Sequence, residues 1–230
     1  MTPIVLIPGL ACTAEMFASQ AAALWPYGPV TIASTMQGET MAEIAAAILA
    51  DAPPRFALGG ISMGGYIGLE ILRQAPERVM RLALMDTSAR ADTPEQIEAR
   101  QGFVARVRNG ELETVLRQIA PNLLHPDRRG GAGLIEVQVR MGLAVGADGF
   151  VRQESAICGR IDSRPHLAAI PVPTLVLVGD SDPLTPPARA EEIAAAIPDA
   201  NLVVIPECGH ASTLEQPEAV SRALIDWLTD

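Results

Sequence analysis

The sequence predicts an α/β domain built on a parallel sheet, and three observations predict it. Short apolar, β-branched runs alternate with stretches of helical period along most of the chain. The first run, Ile4–Ile7, is apolar throughout and rich in β-branched residues, as a strand buried on both faces is. Of the 230 residues 49% are hydrophobic and 19% charged, enough apolar surface for one sizeable core.

Ile4–Ile7, stopped by Pro8-Gly9, reads as the first strand. Thr13 is placed to cap a helix over Ala14–Leu24. Val30–Ala33 is the second strand, and a helix over Glu39–Ala50 puts Ile44, Ile48 and Leu49 on one face. Phe56–Leu58 is the third strand and ends in Gly59-Gly60. A helix over Met63–Gln74 follows and stops before Pro76. Leu82–Met85 is the fourth strand. From Thr87 to Ile170 the rhythm breaks. That stretch holds helical patches at Pro94–Val107, Glu111–Ile119 and Leu134–Leu143, with a link at Arg128-Arg129-Gly130-Gly131-Ala132-Gly133. It reads as a helical insertion between the fourth and fifth strands. Leu175–Val178, a helix over Ala188–Ile197, and Leu202–Ile205 restore the alternation. Pro217 suits the first position of a last helix over Glu218–Leu228.

Composition excludes several functions. All 17 basic residues are Arg, so Schiff-base chemistry and a Walker A loop both lack their Lys. A net charge of −10 and 3% aromatics suit neither a phosphate backbone nor base stacking, and anionic membrane is equally disfavoured. No apolar run has the length of a membrane span, and no basic segment opens a signal peptide. Cys12, Cys158 and Cys208 are too scattered for a structural zinc site and odd in number for a disulfide framework. The expectation is a cytoplasmic protein with no cofactor or metal, acting on a small molecule and binding neither nucleic acid nor membrane.

Gly60-Ile61-Ser62-Met63-Gly64 matches G-x-S-x-G, a turn that presents a serine between a strand and a helix. Asp182, in Gly179-Asp180-Ser181-Asp182-Pro183, follows the fifth strand. His210, in Cys208-Gly209-His210, follows the sixth. All three residues thus fall at the C-terminal ends of parallel strands, where open α/β sheets place their sites. Asp86, at the end of the fourth strand, is the rival acid, and Asp180 reads as a turn residue. His125 and His166 lack acid or ligand patterns around them. Cys12 and Cys208 flank the site in sequence, where a buried Cys acts as a small hydrophobe.

These motifs, in the chain order Ser, Asp, His, resemble the α/β-hydrolase superfamily over essentially the whole length. Leu6-Ile7-Pro8-Gly9-Leu10 resembles the family's oxyanion loop, with Pro-Gly where His-Gly is usual. Gly179–Asp182 resembles its acid turn. Gly209-His210 with Glu215-Gln216-Pro217-Glu218 resembles its histidine loop. Asp86–Arg90 with Thr93-Pro94-Glu95 is similar to the enol-lactonase, carboxylesterase and perhydrolase branch. The family's N-terminal β-hairpin has no counterpart, since Met1-Thr2-Pro3 leads straight into the oxyanion strand. The resemblance therefore implies about six strands, all parallel, with Val30–Ala33 an exposed edge. It implies a core of residues 1–87 and 166–230 and a helical cap of 88–165. Ser62 is the implied nucleophile, His210 the base and Asp182 the acid that orients it. The backbone N–H groups of Leu10 and Met63 are the implied oxyanion donors.

The implied activity is hydrolysis of a small carboxylic ester or lactone through an acyl-enzyme. Thioester hydrolysis, perhydrolysis and C–C bond hydrolysis use the same three residues, and a non-catalytic ligand-binding protein shares the scaffold. Residues 88–170 carry 11 Arg against 10 acids, whereas the rest carries 6 against 17. That asymmetry has two readings: solvated helical faces bearing i,i+4 pairs, or a cap arginine that pairs with the carboxylate of an anionic substrate.

Overall fold

The computed structural model describes residues 1–229; Asp230, the last residue of the expected core, lies outside the described residues. Six strands form one sheet: β1 (Ile4–Ile7), β2 (Val30–Ile32), β3 (Phe56–Ile61), β4 (Val79–Met85), β5 (Thr174–Gly179) and β6 (Ala200–Ile205). Their order is β2-β1-β3-β4-β5-β6, and all five pairings are parallel. β2 is an edge, as expected from the sequence, and β6 is the other.

Side chains alternate across this sheet with the period of two that strands impose. Val5, Ile7, Leu58, Leu82, Leu84, Val176 and Val178 point to one face. There they meet α2 (Met41–Asp51), α3 (Met63–Gln74) and α7 (Pro187–Ala196) through Ile44, Ile67 and Ile193. Ile4, Leu6, Ala57, Ala83, Leu175 and Leu177 point to the other face. Leu24 of α1 (Ala18–Leu24) and Leu224 and Trp227 of α8 (Pro217–Thr229) cover it.

Helix starts follow their caps. Thr13 caps a 3-10 turn over Ala14–Phe17 before α1. α2 begins two residues later than its apolar period suggests. Thr40 accepts from the Glu43 amide while the Glu43 carboxylate accepts from Thr40, a capping box that fixes the first turn.

Between β4 and β5 lie α4 (Pro94–Arg108), α5 (Leu112–Ile119) and α6 (Ala132–Cys158). A third apolar cluster, including Val107, Val115, Leu116, Val139 and Phe150, joins them to Ala11 beside β1. The helix expected to end at Leu143 in fact resumes beyond a break. Gly146 takes φ 76° there, and α6 bends without losing its buried side. The link expected at Arg128–Gly133 is shorter, because Pro126–Arg128 forms a 3-10 turn and α6 already includes Gly133.

Candidate active site

Ser62 stands between β3 and α3 at φ 54°, ψ −116°, a region that L-residues avoid. The surroundings hold it there. Its amide donates to the Met85 carbonyl at 2.9 Å, and its carbonyl accepts from Thr87 Oγ1 at 2.8 Å. The glycines of the motif are required by space. A Cβ on Gly60 would run into the Gly64 carbonyl, and one on Gly64 into the Ile7 carbonyl at the end of β1. Only with both positions bare can strand, turn and helix close around the serine.

His210 Nε2 lies 2.8 Å from Ser62 Oγ, and His210 Nδ1 lies 2.8 Å from Asp182 Oδ2. With Nδ1–H donating to the carboxylate, Nε2 is left to accept from the serine hydroxyl. Asp182 also accepts from the amides of Leu184 and Thr185, at 2.8 and 3.0 Å, and from Thr185 Oγ1 at 2.7 Å. Burial alone would raise the Asp182 pKa. The facing imidazole and these hydrogen bonds outweigh it and hold the carboxyl below its ordinary range. Burial works against the His210 cation, but the adjacent Asp182 charge prevails and raises the imidazole pKa.

The rival acid is turned away from the imidazole. Asp86, fully buried, accepts from the Gly179 amide at 3.0 Å and the Ser212 amide at 3.2 Å. It ties β4 to the two loops that carry Asp182 and His210. Burial, then the charge of Asp182, pushes its pKa up to about 7. Asp180 accepts from the amides of Glu207 and Cys208, joining the acid turn to the histidine loop. Gly179 lies so close to Gly209 that a Cβ would strike the Cys208 and Gly209 carbonyls.

The other sequence candidates take lesser places. His125 accepts from the Asp127 amide through Nδ1, and His166 is exposed. Cys12 lines the site, its thiol bonded to the Leu10 carbonyl and its pKa raised to about 12 by burial. Cys208 is buried behind the histidine loop.

Glu215, part of the histidine-loop motif, shows its use only in the structure. Its carboxylate accepts from the Gly209 amide and from the His125 amide, each at 2.8 Å. The His210 amide donates to the Leu123 carbonyl at 2.8 Å. The helical segment is thus pinned to the loop that bears the histidine.

Leu10 follows Gly9, where a Cβ would sit 3.5 Å from Ser62 Cβ, so the loop after β1 runs beside the serine. The N–H groups of Leu10 and Met63 donate to no protein acceptor among the described residues. They are available to an oxygen bound above Ser62.

Ser62 and His210 line a cavity of about 640 Å³ under α4, α5 and α6. Its walls include Cys12, Tyr66, Phe103, Ile119 and Phe150, along with charged groups. The expectation of a cap arginine free for substrate meets a different arrangement. Arg100 pairs with Asp92 at 2.7 Å and Glu154 at 2.8 Å. Arg160 pairs with Asp92 at 2.8 Å and stacks on Tyr66. Arg90 pairs with Glu192 at 2.7 Å. Among the described residues lining the cavity, the arginine without an ion pair is Arg189, from α7. No group of three His, Cys, Asp or Glu residues among those described could hold a metal ion. No helix among them is long and apolar enough to cross a membrane.

Known proteins share this fold. The family model described as alpha/beta hydrolase fold matches residues 26–217. A pimeloyl-[acyl-carrier protein] methyl ester esterase from Aromatoleum aromaticum is 29% identical over 79% of this chain and 77% of its own length. The 3-oxoadipate enol-lactonase 2 of Acinetobacter baylyi is 30% identical over 74% of this chain, and the match spans 62% of that relative. Among solved structures, a thermophilic esterase from Thermogutta terrifontis with malate bound superposes with TM-score 0.90 at 32% identity. That match covers 99% of this chain and 89% of the esterase. The enol-lactonase from Burkholderia xenovorans gives TM-score 0.89 at 26% identity, covering 100% and 92%.

Proposed function

The chain belongs to the α/β-hydrolase fold family, a family of hydrolases, and from that membership we propose that it cleaves a small carboxylic ester or lactone through an acyl-enzyme on Ser62. The observation that carries the proposal is the unbroken hydrogen-bonded chain Ser62–His210–Asp182 opening on the cavity. In the proposed reaction His210 Nε2 takes the serine proton as Oγ attacks the carbonyl. The oxyanion that forms is met by the N–H groups of Leu10 and Met63. Collapse expels the alcohol, or opens the lactone, with the proton returned from His210. Water, deprotonated by the same imidazole, then releases the acid and restores Ser62. Residues 88–165 serve as a cap that excludes bulk water from this step over a core of 1–87 and 166–230.

Substrates bearing a free carboxylate are the finer reading. Arg189, half-buried at the cavity and without an ion pair, supports it, as does the malate in the Thermogutta terrifontis esterase. The test is turnover of p-nitrophenyl acetate together with labelling by a fluorophosphonate probe. Wild type should turn over steadily and label once, and Ser62→Ala should do neither. Equal labelling of both would remove Ser62 from the reaction. Ranking esters, lactones and thioesters by kcat/KM, with per-acid formation and C–C cleavage as further arms, then selects among acyl acceptors and bonds. Binding without turnover of any of them would leave a ligand-binding protein.

A further inference from the structure

Beyond Gly146 the second limb of α6 buries Phe150, Gln153, Glu154 and Ile157, one helical face. Phe150, Glu154 and Ile157 line the cavity. Gln153 is 1% exposed, and its side chain is spent on contacts far away in sequence, a long one of 4.0 Å from Nε2 to Met36 Sδ among them. Its Oε1 accepts from the Ala11 amide at 2.8 Å, and its Nε2 donates to Thr35 Oγ1 at 2.9 Å. Thr35, itself buried, lies in the loop after β2.

Ala11 is the residue after Leu10, and it is strained. Its φ is 55°, a left-handed value that a residue with a Cβ takes only when held there. The Ala11 amide has no other acceptor among the described residues. The peptide group between Leu10 and Ala11 carries that amide, so its orientation bears directly on where the Leu10 backbone lies. The nearby Cys12 amide donates back to the Gly9 carbonyl at 3.3 Å, closing the turn, but it does not fix the turn against the rest of the protein. Gln153 does.

We infer that Gln153 is a positioning residue for the oxyanion donor: through the Ala11 amide it holds the strained Leu10–Ala11 turn so that the Leu10 N–H faces the oxygen above Ser62. The inference rests on the proposed acyl-transfer reading. It adds that the cap helix, through this amide, helps assemble the catalytic core as well as covering it. Thr35 sets the rotamer of the glutamine and so fixes its acceptor.

The test replaces Gln153 by Met, similar in shape but with no acceptor, and by Glu, which keeps one. For p-nitrophenyl acetate, Gln153→Met should lower kcat at least roughly tenfold with little change in KM. Outright loss of an oxyanion donor costs about a hundred- to a thousandfold. The Ki of an alkyl trifluoromethyl ketone, whose hemiketal oxygen would occupy the same position, should rise by the same factor. Gln153→Glu should recover most of both. A merely structural residue would move Tm without moving the ketone Ki in step with kcat. Wild-type kcat and Ki in Gln153→Met would overturn the inference, as would a loss confined to KM or to Tm. If Gln153→Met does not fold, Thr35→Val, which frees the carboxamide, should still raise Ki and lower kcat together by about threefold on the same scale; an unchanged Ki there overturns the inference equally. Fluorophosphonate labelling at Ser62 separates the two levels. If wild type and Ser62→Ala label alike, the acyl-transfer reading fails and the inference with it. If labelling depends on Ser62 but not on Gln153, only the inference fails.

Discussion

At the scale of single residues, the proposed reaction needs His210 neutral and Asp182 charged. His210 is a base only below saturation with protons, so kcat/KM should fall as pH drops through its pKa. That pKa is raised, because the Asp182 charge outweighs burial, so the acid limb should lie above the ordinary imidazole value. Asp182→Asn removes the charge and leaves burial, which lowers the pKa. The limb should move to lower pH, and kcat should fall by roughly 10⁴-fold, the size of effect seen when such an acid is neutralised. Asp86 also raises the His210 pKa, but it touches only backbone amides. Asp86→Asn should shift the limb slightly in the same direction and lower kcat far less. A pH-rate profile of the three proteins checks this, and a larger kcat loss in Asp86→Asn would exchange the two roles. The same shift bears on stability. A histidine whose folded pKa is raised contributes stability that is full below its unfolded pKa and is lost as pH rises through the folded one.

At the scale of elements, the turn between β3 and α3 depends on two bare positions. Gly60→Ala and Gly64→Ala each drive a methyl group into a backbone carbonyl that cannot move without its strand or helix. Each should destabilise the protein by about 3 kcal/mol in urea denaturation, at the upper end for overpacking. Gly102 lies within α4 with open space around it. Gly102→Ala should instead stabilise by up to ~1 kcal/mol, the helix propensity difference. Equal effects at the three sites would mean that crowding does not govern the turn. The same contrast explains what the sequence made legible. β1 and β5 stood out because strands buried on both faces need uninterrupted apolar runs, and the edge strands β2 and β6 because short β-branched runs sit in the same alternation with helices. Ser62, Asp182 and His210 stood out because each lies in a short local motif at a strand end. α6 did not, since Gly146 interrupts its period while its buried side continues beyond. Gln153 stayed hidden for another reason: its partner Ala11 is 142 residues away, and nothing beside it in the chain marks the contact. Glu215 stood in the histidine-loop motif with Gly209, six residues away, but its hold on His125, 90 residues away, left no mark there.

At the scale of the whole molecule, charge decides how an anionic substrate would fare. The chain carries −10 overall, and residues outside 88–170 hold 17 acids against 6 Arg. That field repels a carboxylate at long range, while Arg189 attracts it at the cavity. Distance separates the two. The Debye length is about 10 Å at 0.1 M salt and about 30 Å at 0.01 M. At 0.01 M the distant acids still act, and by 0.1 M they are largely screened, leaving the local contact. An ester with a free carboxylate should therefore be preferred over its neutral analogue most strongly near 0.1 M salt. The preference in kcat/KM should be about fivefold, equivalent to the ~1 kcal/mol of a partly exposed ion pair. It should narrow at 0.01 M, where repulsion returns, and again at 0.5 M, where the Arg189 contact is itself screened. Arg189→Leu should abolish the preference near 0.1 M and spare the neutral ester. Arg100 and Arg160, from the helical segment between β4 and β5, already hold Asp92 and Glu154. Replacing them should cost stability and leave the preference in place. A neutral ester favoured at every salt concentration, or a preference that survives Arg189→Leu, would show that the carboxylate is not read at this arginine.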